Sequence, residues 1–216
     1  VSNNRDFPNL RVMDHPLILH KLSHMRERDT PPKIFRELLR EIALLMGYEI
    51  TRELPVEMKD IQTPFRPTTV PVIRGLKPAV VPILRAGLAM ADGLLDLMPA
   101  ALVGHIGMYR DAQTKHPVEY LRKLPSAADR DFFLVDPMLA TGNSAAAGVK
   151  VLLEHGVAVD RIRFMSLLAS PEGVTTMLEQ HPAVPVYTAA LDEGLDEDCC
   201  IVPGLGDAGD RLYGTL

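Results

Sequence analysis

The stretch Phe132-Phe133-Leu134-Val135-Asp136-Pro137-Met138-Leu139-Ala140-Thr141-Gly142-Asn143-Ser144 decides how this chain is read. Its four leading apolar residues make a buried strand. A short loop of small and hydroxyl residues follows. Ala145-Ala146-Ala147-Gly148-Val149-Lys150-Val151-Leu152-Leu153 then has the composition of a helix. Strand, compact loop and helix start together form a pocket for phosphate. The helix N-terminus presents unpaired N–H groups and the positive end of its dipole. Thr141 and Ser144 add hydroxyl donors, and Gly142 lets the backbone come close to an anion. No Lys or Arg lies between Asp136 and Lys150, so the main chain has to carry the phosphate. Asp136, at the strand's end, is placed to hold ribose hydroxyls or a metal-bound substrate. Taken alone, the loop reads equally well as a βα turn with a capping Thr or Ser.

Outward from this loop, strand-like and helix-like runs alternate, which predicts a mostly parallel α/β sheet flanked by helices. Ala79 to Leu84 is a strand in which Pro82 marks an irregularity or an edge. Gly87 to Leu97 reads as a helix, Ala101 to Met108 as a strand and Arg161 to Ala169 as another. Pro171 to Gln180 is a helix with proline in its first turn, and Val184 to Leu191 is a final strand. Upstream, Thr30-Pro31-Pro32 starts a long amphipathic helix through Phe35, Leu39, Ile42 and Met46, which packs on the sheet or on a second subunit. Residues 61–78, with four prolines, read as an arm or irregular β segment. Tyr109 to Arg130 is charged and aperiodic; it is either a lid over the site or a plain surface excursion such as a hairpin.

The 216 residues suit one domain: an N-terminal helix and arm over 1–78, a core over 79–191 and a C-terminal segment over 192–216. Hydrophobic residues make up 47% and charged residues 24%, ordinary values for a protein with a full core. The net charge of −5 argues against a duplex-binding surface and leaves room for local basic patches, and no nucleic-acid partner is expected. No apolar run approaches the ~20 residues of a membrane span, and Val1 to Asp6 lack the apolar centre of a secretory signal. Cys199 and Cys200 are adjacent, a poor geometry for a disulfide and not a zinc spacing. They read as small, buried, free thiols in a cytoplasmic protein. His20 and His24 could share a helical face, but no further ligand stands near them.

Four segments can meet at the C-terminal edge of the sheet, where ligands bind in open α/β folds. They are Leu84-Arg85-Ala86-Gly87, Met108-Tyr109-Arg110-Asp111, the phosphate loop, and Pro203-Gly204-Leu205-Gly206-Asp207-Ala208-Gly209-Asp210. Two arginines, a phosphate loop and acidic residues suit a substrate with several phosphates and a magnesium ion. Gly204 to Gly209 satisfies G-x-G-x-x-G, but only seven residues follow it, so no βαβ unit can form and the dinucleotide reading fails. A glycine-rich segment does expose its own backbone, which can read the edge of a small base.

In this order the motifs resemble the uracil phosphoribosyltransferase family over nearly the whole chain. His15-Pro16-Leu17, His20-Lys21-Leu22 and Met25-Arg26 resemble its N-terminal region, continued by Phe35-Arg36-Glu37-Leu38 and Tyr48-Glu49. Val81-Pro82-Ile83-Leu84-Arg85-Ala86-Gly87, Gly107-Met108-Tyr109-Arg110, the phosphate loop and Pro203 to Asp210 are its more specific motifs. The resemblance implies a type I phosphoribosyltransferase fold with an N-terminal arm and a hood. It also implies transfer of ribose 5-phosphate from phosphoribosyl pyrophosphate (PRPP) to N1 of uracil, giving UMP and pyrophosphate in pyrimidine salvage. By motif, Asp136, Pro137, Met138, Leu139, Ala140, Thr141, Gly142, Asn143 and Ser144 hold the ribose and its 5-phosphate, and Arg85 and Arg110 contact the pyrophosphate. Asp207 acts near PRPP through magnesium-bound water, and Ile201, Gly206, Asp207 and Ala208 bind uracil. The catalytic assignments are Arg110, Asp136 and Asp207, with no general base. The family is dimeric or larger, and GTP activates some relatives. Two positions depart from the pattern: Asn143 stands where Gly is usual, and Cys200 where Tyr is frequent. A nucleotide-sensing or RNA-binding regulator of the same fold is the alternative.

Overall fold

A computed structural model describes the backbone at residues 2–3, 6–110 and 117–215, and side chains there except those of 2, 3 and 110. In chain order the elements are β1 (Ser2–Asn3), β2 (Leu10–Val12), α1 (Pro16–Arg26), α2 (Pro32–Ile50), β3 (Val56–Gln62), β4 (Pro67–Ile73), β5 (Ala79–Leu84) and α3 (Gly87–Leu97). Then follow β6 (Leu102–Val103), β7 (His105–Arg110), β8 (Pro117–Lys123), β9 (Phe132–Val135), β10 (Met138–Leu139) and α4 (Asn143–Glu154). The chain continues through β11 (Ile162–Ala169), α5 (Pro171–Gln180), β12 (Val186–Leu191), β13 (Gly194–Leu195), β14 (Ile201–Val202) and α6 (Ala208–Tyr213).

The main sheet runs β1-β2-β12-β11-β9-β5-β7-β8. β9 lies inside it, parallel to both β5 and β11. All four of its residues are buried, as a strand covered on both faces requires. Phe133 and Val135 face a cluster with Phe35, Ile42, Met46, Met90 and Leu94 from α2 and α3. Phe132 and Leu134 face the opposite cluster with Ala146, Val149 and Leu152 of α4 and Met177 of α5. Burying each phenylalanine is worth about 1.5–3 kcal/mol. The long helix α2 therefore packs on the sheet domain.

Two alternatives left open by the sequence reading are resolved, and two expectations are corrected, each with a local cause. Pro82 is inside the sheet, not at an edge. β5 pairs with β6 at Ala79 and Val80 and with β7 at Ile83 and Leu84, so the proline falls where that ladder is interrupted. The strand expected over Ala101 to Met108 is accordingly two pieces with Gly104 between them. α1 is an additional helix, with Ile18, Leu22 and Met25 on its buried face and His15 Nδ1 accepting from the Leu17 amide at 3.2 Å as its cap. β8 pairs antiparallel with β7 through an irregularity at Gly107/Met108, so this part of Tyr109 to Arg130 is a hairpin strand whose register shift hides the two-residue period. The middle of the expected lid, 111–116, lies outside the described residues.

The arm is a regular hairpin. β3 and β4 pair from Val56↔Ile73 to Gln62↔Pro67 and form a separate two-stranded sheet. Every residue of β3 is exposed, and Val56, Met58, Phe65 and Ile73 present large apolar side chains to solvent. Pro67 and Pro71 are tolerated because β4 is paired on one side only.

Candidate active site

The phosphate loop is held from behind. The Pro137 carbonyl accepts from the amides of Leu167 and Leu168, both at 3.0 Å, and β10 pairs with β11. Ser170, fully buried, donates its hydroxyl to the Ala140 carbonyl at 2.6 Å and accepts from the Gly173 amide at 3.0 Å, which caps α5. One turn on, Thr176 donates to the Thr141 carbonyl at 2.8 Å. The carbonyls of the loop are thus tied to α5, and the first turn of α4 has no side-chain cap and no acidic residue. Its N–H groups remain for a ligand. Gly142 caps α4 at φ 80°, and a Cβ there would stand 2.7 Å from the Gly173 carbonyl and from Thr176 Cβ. Only glycine fits both the angle and the space.

A depression of about 190 Å³ is lined by Asp136, Met138, Leu139, Ala140, Thr141, Gly142 and Ser144. Pro137 is buried behind it, and Asn143 faces a separate surface depression with Lys150 and His181. Of the nine loop residues proposed from sequence, seven therefore line this subsite. Asp136 lies half-buried at its base. Desolvation pushes its pKa up to about 7, aided by the negative charge of Asp207 and opposed by the Met138 amide. A carboxyl held this reluctantly as an anion is suited to accept a cation or a pair of hydroxyl donors.

A second cavity, about 310 Å³, shares Met138 and Ala140 with the first, so the two form one cleft. Arg85, Ile201, Gly206, Asp207 and Ala208 line it, which gathers one pyrophosphate candidate and all four base-site candidates. Asp207 caps α6, its Oδ1 accepting from the Asp210 amide at 2.9 Å. Arg110 closes β7, and its side chain lies outside the described residues. Cys199 and Cys200 are free, as expected, but they are exposed and line the cavity instead of being buried. Asp196 shapes the turn that displays them: its Oδ1 accepts from the amides of Asp198 at 3.0 Å and Cys200 at 2.8 Å. Partial burial and the acids Asp196, Asp198 and Asp207 push the Cys200 thiol up, which keeps it protonated.

Other residues serve this cleft without having been assigned a site role from sequence. Tyr213 donates to the Arg85 carbonyl at 3.0 Å, and its ring centroid is 5.7 Å from the Arg85 guanidinium carbon. Ser170 and Thr176 brace the phosphate loop; the Ser-Pro pair at the α5 start was the one signal for the cap. Arg26 and Asp192 form a shielded ion pair behind the loop at Gly204. Nothing local to either residue announces the pairing.

Sheet topology, amide-lined loop and adjoining cavity define a phosphoribosyltransferase of the type I fold. A hypoxanthine-guanine phosphoribosyltransferase from Bacillus anthracis shares that fold with a TM-score of 0.51, over 74% of this chain and 82% of that one, at 12% identity. A structure from Aquifex aeolicus is far nearer, with a TM-score of 0.90 and 32% identity over 95% of this chain and 98% of that one. The sequence model of the family described as uracil phosphoribosyltransferase matches residues 12–215. The uracil phosphoribosyltransferase of Rhodospirillum centenum is 64% identical over 97% of both chains. This chain belongs to the uracil phosphoribosyltransferase family and is an enzyme of the phosphoribosyltransferase class. The alternative of a non-catalytic regulator is not supported. No helix among the described residues is long and apolar enough to cross a membrane.

Proposed function

We propose that this chain transfers the phosphoribosyl group of PRPP to N1 of uracil, forming UMP and releasing pyrophosphate. One observation carries the reading: an uncapped helix N-terminus and a glycine-rich base loop open into a single cleft and share Met138 and Ala140 as its floor. In this reading the first-turn amides of α4, with Thr141 and Ser144, hold the 5-phosphate. Asp136 holds the ribose hydroxyls. Arg85 and Arg110 neutralise the departing pyrophosphate as the C1–O bond breaks and the N1–C1 bond forms. The N1 proton leaves to solvent.

The main chain around Ile201, Gly206 and Ala208 reads the acceptor-donor-acceptor edge of uracil. Cytosine differs at N3 and at its exocyclic group, and would leave buried polar groups unpaired.

Among the described residues no group of three His, Cys, Asp or Glu side chains could hold a metal. Asp136 and Asp207, one lining each part of the cleft, fit a magnesium ion delivered on PRPP oxygens and completed by water, which they would hold from the protein side. Bound there, the ion supplies positive charge to the leaving group.

The apolar hairpin β3–β4 supports a homodimer or larger assembly, and two free thiols support a cytoplasmic site. GTP activation rests on the family resemblance alone, and initial rates with and without GTP test it. The central test incubates the protein with PRPP, magnesium and, separately, uracil, cytosine, hypoxanthine and orotate. UMP from uracil alone is expected; turnover with another base, or with none, overturns the reading.

A further inference from the structure

We propose that Arg26 and Asp192, assisted by Arg211, are positioning residues that fix the base loop for uracil, a role that rests on Ile201 to Ala208 being the base site. Residues 203–207 belong to no helix or strand, so no ladder sets their geometry. Side chains from distant parts of the chain set it instead. Arg26, the last residue of α1, donates to Asp192 Oδ2 at 2.7 Å and to Asp192 Oδ1 at 2.5 Å. The same guanidinium donates to the Gly204 carbonyl at 2.7 Å, while the Gly204 amide donates to Asp192 Oδ2 at 2.9 Å. Both backbone groups of Gly204 are therefore occupied by one ion pair.

Arg211 secures the next peptide by donating to the Leu205 carbonyl at 2.8 Å. It is itself anchored on the Met25 and Glu27 carbonyls, both at 2.6 Å, and over the Phe35 ring at 4.5 Å. Three polar groups of two adjacent residues, Gly204 N–H, Gly204 C=O and Leu205 C=O, are thus pinned from outside. The residues immediately after them, Gly206 to Ala208, line the base cavity.

The electrostatics suit a clamp. The Asp192 side chain is only 5% exposed and that of Arg26 25%, so the pair is largely shielded from water. The contact needs a planar fork, since one guanidinium serves two carboxylate oxygens and a carbonyl. A lysine keeps the charge and cannot make that set. Leu84-Arg85 and the phosphate loop receive none of these bonds, so the clamp acts on the base half of the cleft.

The test compares Arg26→Lys, Asp192→Asn and Ile201→Ala with the unaltered enzyme, measuring kcat, KM for uracil, KM for PRPP and thermal unfolding. Arg26→Lys and Asp192→Asn are expected to raise KM for uracil about tenfold, with kcat and KM for PRPP within about twofold, in protein folded at the assay temperature. An unchanged KM for uracil in folded Arg26→Lys and Asp192→Asn overturns the proposal, as does a matching rise in KM for PRPP. Loss of the folded state in both variants also overturns it, because the pair is then an element of the fold alone. If Ile201→Ala raises KM for uracil while the other two do not, the base site stands and the clamp falls. If none of the three does, the base-site assignment falls and the clamp with it.

Discussion

In the proposed phosphate subsite, seven of the consecutive residues 136–144 line the pocket, and their braces, Ser170 and Thr176, come from the next helix along the sheet. In the proposed base half of the cleft, Ile201 and Gly206 to Ala208 line the cavity, and Gly204 and Leu205 between them are braced by residues 26, 192 and 211, drawn from opposite ends of the chain. The first half presents main-chain amides at a helix end, so its geometry is that of the helix. The second has no such frame and borrows its shape from guanidinium and carboxylate groups. A ribosyl phosphate is common to many substrates, and a local, self-contained cradle suffices for it. A base is what distinguishes one transferase from another, and its loop is the part assembled by side chains that can be exchanged singly.

The sharpest way to break this contrast is Gly142→Ala. The new Cβ meets the Gly173 carbonyl and Thr176 at 2.7 Å in a left-handed conformation. Turnover is expected to fall about 100-fold and stability by about 1–3 kcal/mol. Near-normal PRPP kinetics would show that the cradle is not preorganised.

Asp136→Asn comes next. Burial raises the Asp136 pKa to about 7, so the folded protein binds this proton more tightly than the unfolded chain does. Its ionisation therefore costs stability progressively as pH rises from about 4 to about 7. The asparagine variant is expected to gain on the unaltered protein across that window, by on the order of 2–4 kcal/mol at its upper end, while PRPP turnover drops about 30-fold. Unfolding free energies compared at several pH values check the sign; a margin that does not grow with pH removes the buried-acid account.

Ser170→Ala leaves the Gly173 amide and the Ala140 carbonyl without their partner. A loss of about 1–2 kcal/mol and a roughly fivefold rise in KM for PRPP are expected, with KM for uracil unchanged. A shift in the uracil constant instead would erase the division between the two halves. Tyr213→Phe is the mildest probe. It removes one hydrogen bond to the Arg85 carbonyl and should raise KM for PRPP about twofold, which steady-state kinetics at fixed uracil would resolve.

The same contrast explains what could be read from the sequence. Ala79 to Leu84, Gly87 to Leu97, Phe132 to Val135 and Pro171 to Gln180 have the predicted bounds, because each is fixed by its own periodicity and end signals. The loop lining the proposed phosphate subsite was legible for that reason, except that Pro137 and Asn143 do not line its depression. β8 stayed one of two readings, a hairpin or a lid, because its pairing passes through an irregularity, and α1 was missed because only three of its residues are buried. The exposure of Cys199 and Cys200 depends on Asp196 folding a turn beneath them, which residue type alone does not convey. The partnership of Arg26 with Asp192 spans 166 positions, and no window of sequence contains it.

Helix α6 bears on any attempt to redesign base choice. In six residues it is capped by Asp207, sends Arg211 to the base loop and Tyr213 to the Arg85 peptide. If the proposed base and pyrophosphate sites hold, an edit there would disturb the grip on both substrates together, so selection for a new base would be confounded by weakened sugar donor binding. Cys200 and Ile201 touch the cavity without supporting the arginine, and they are the positions from which altered pyrimidine preference could be evolved independently.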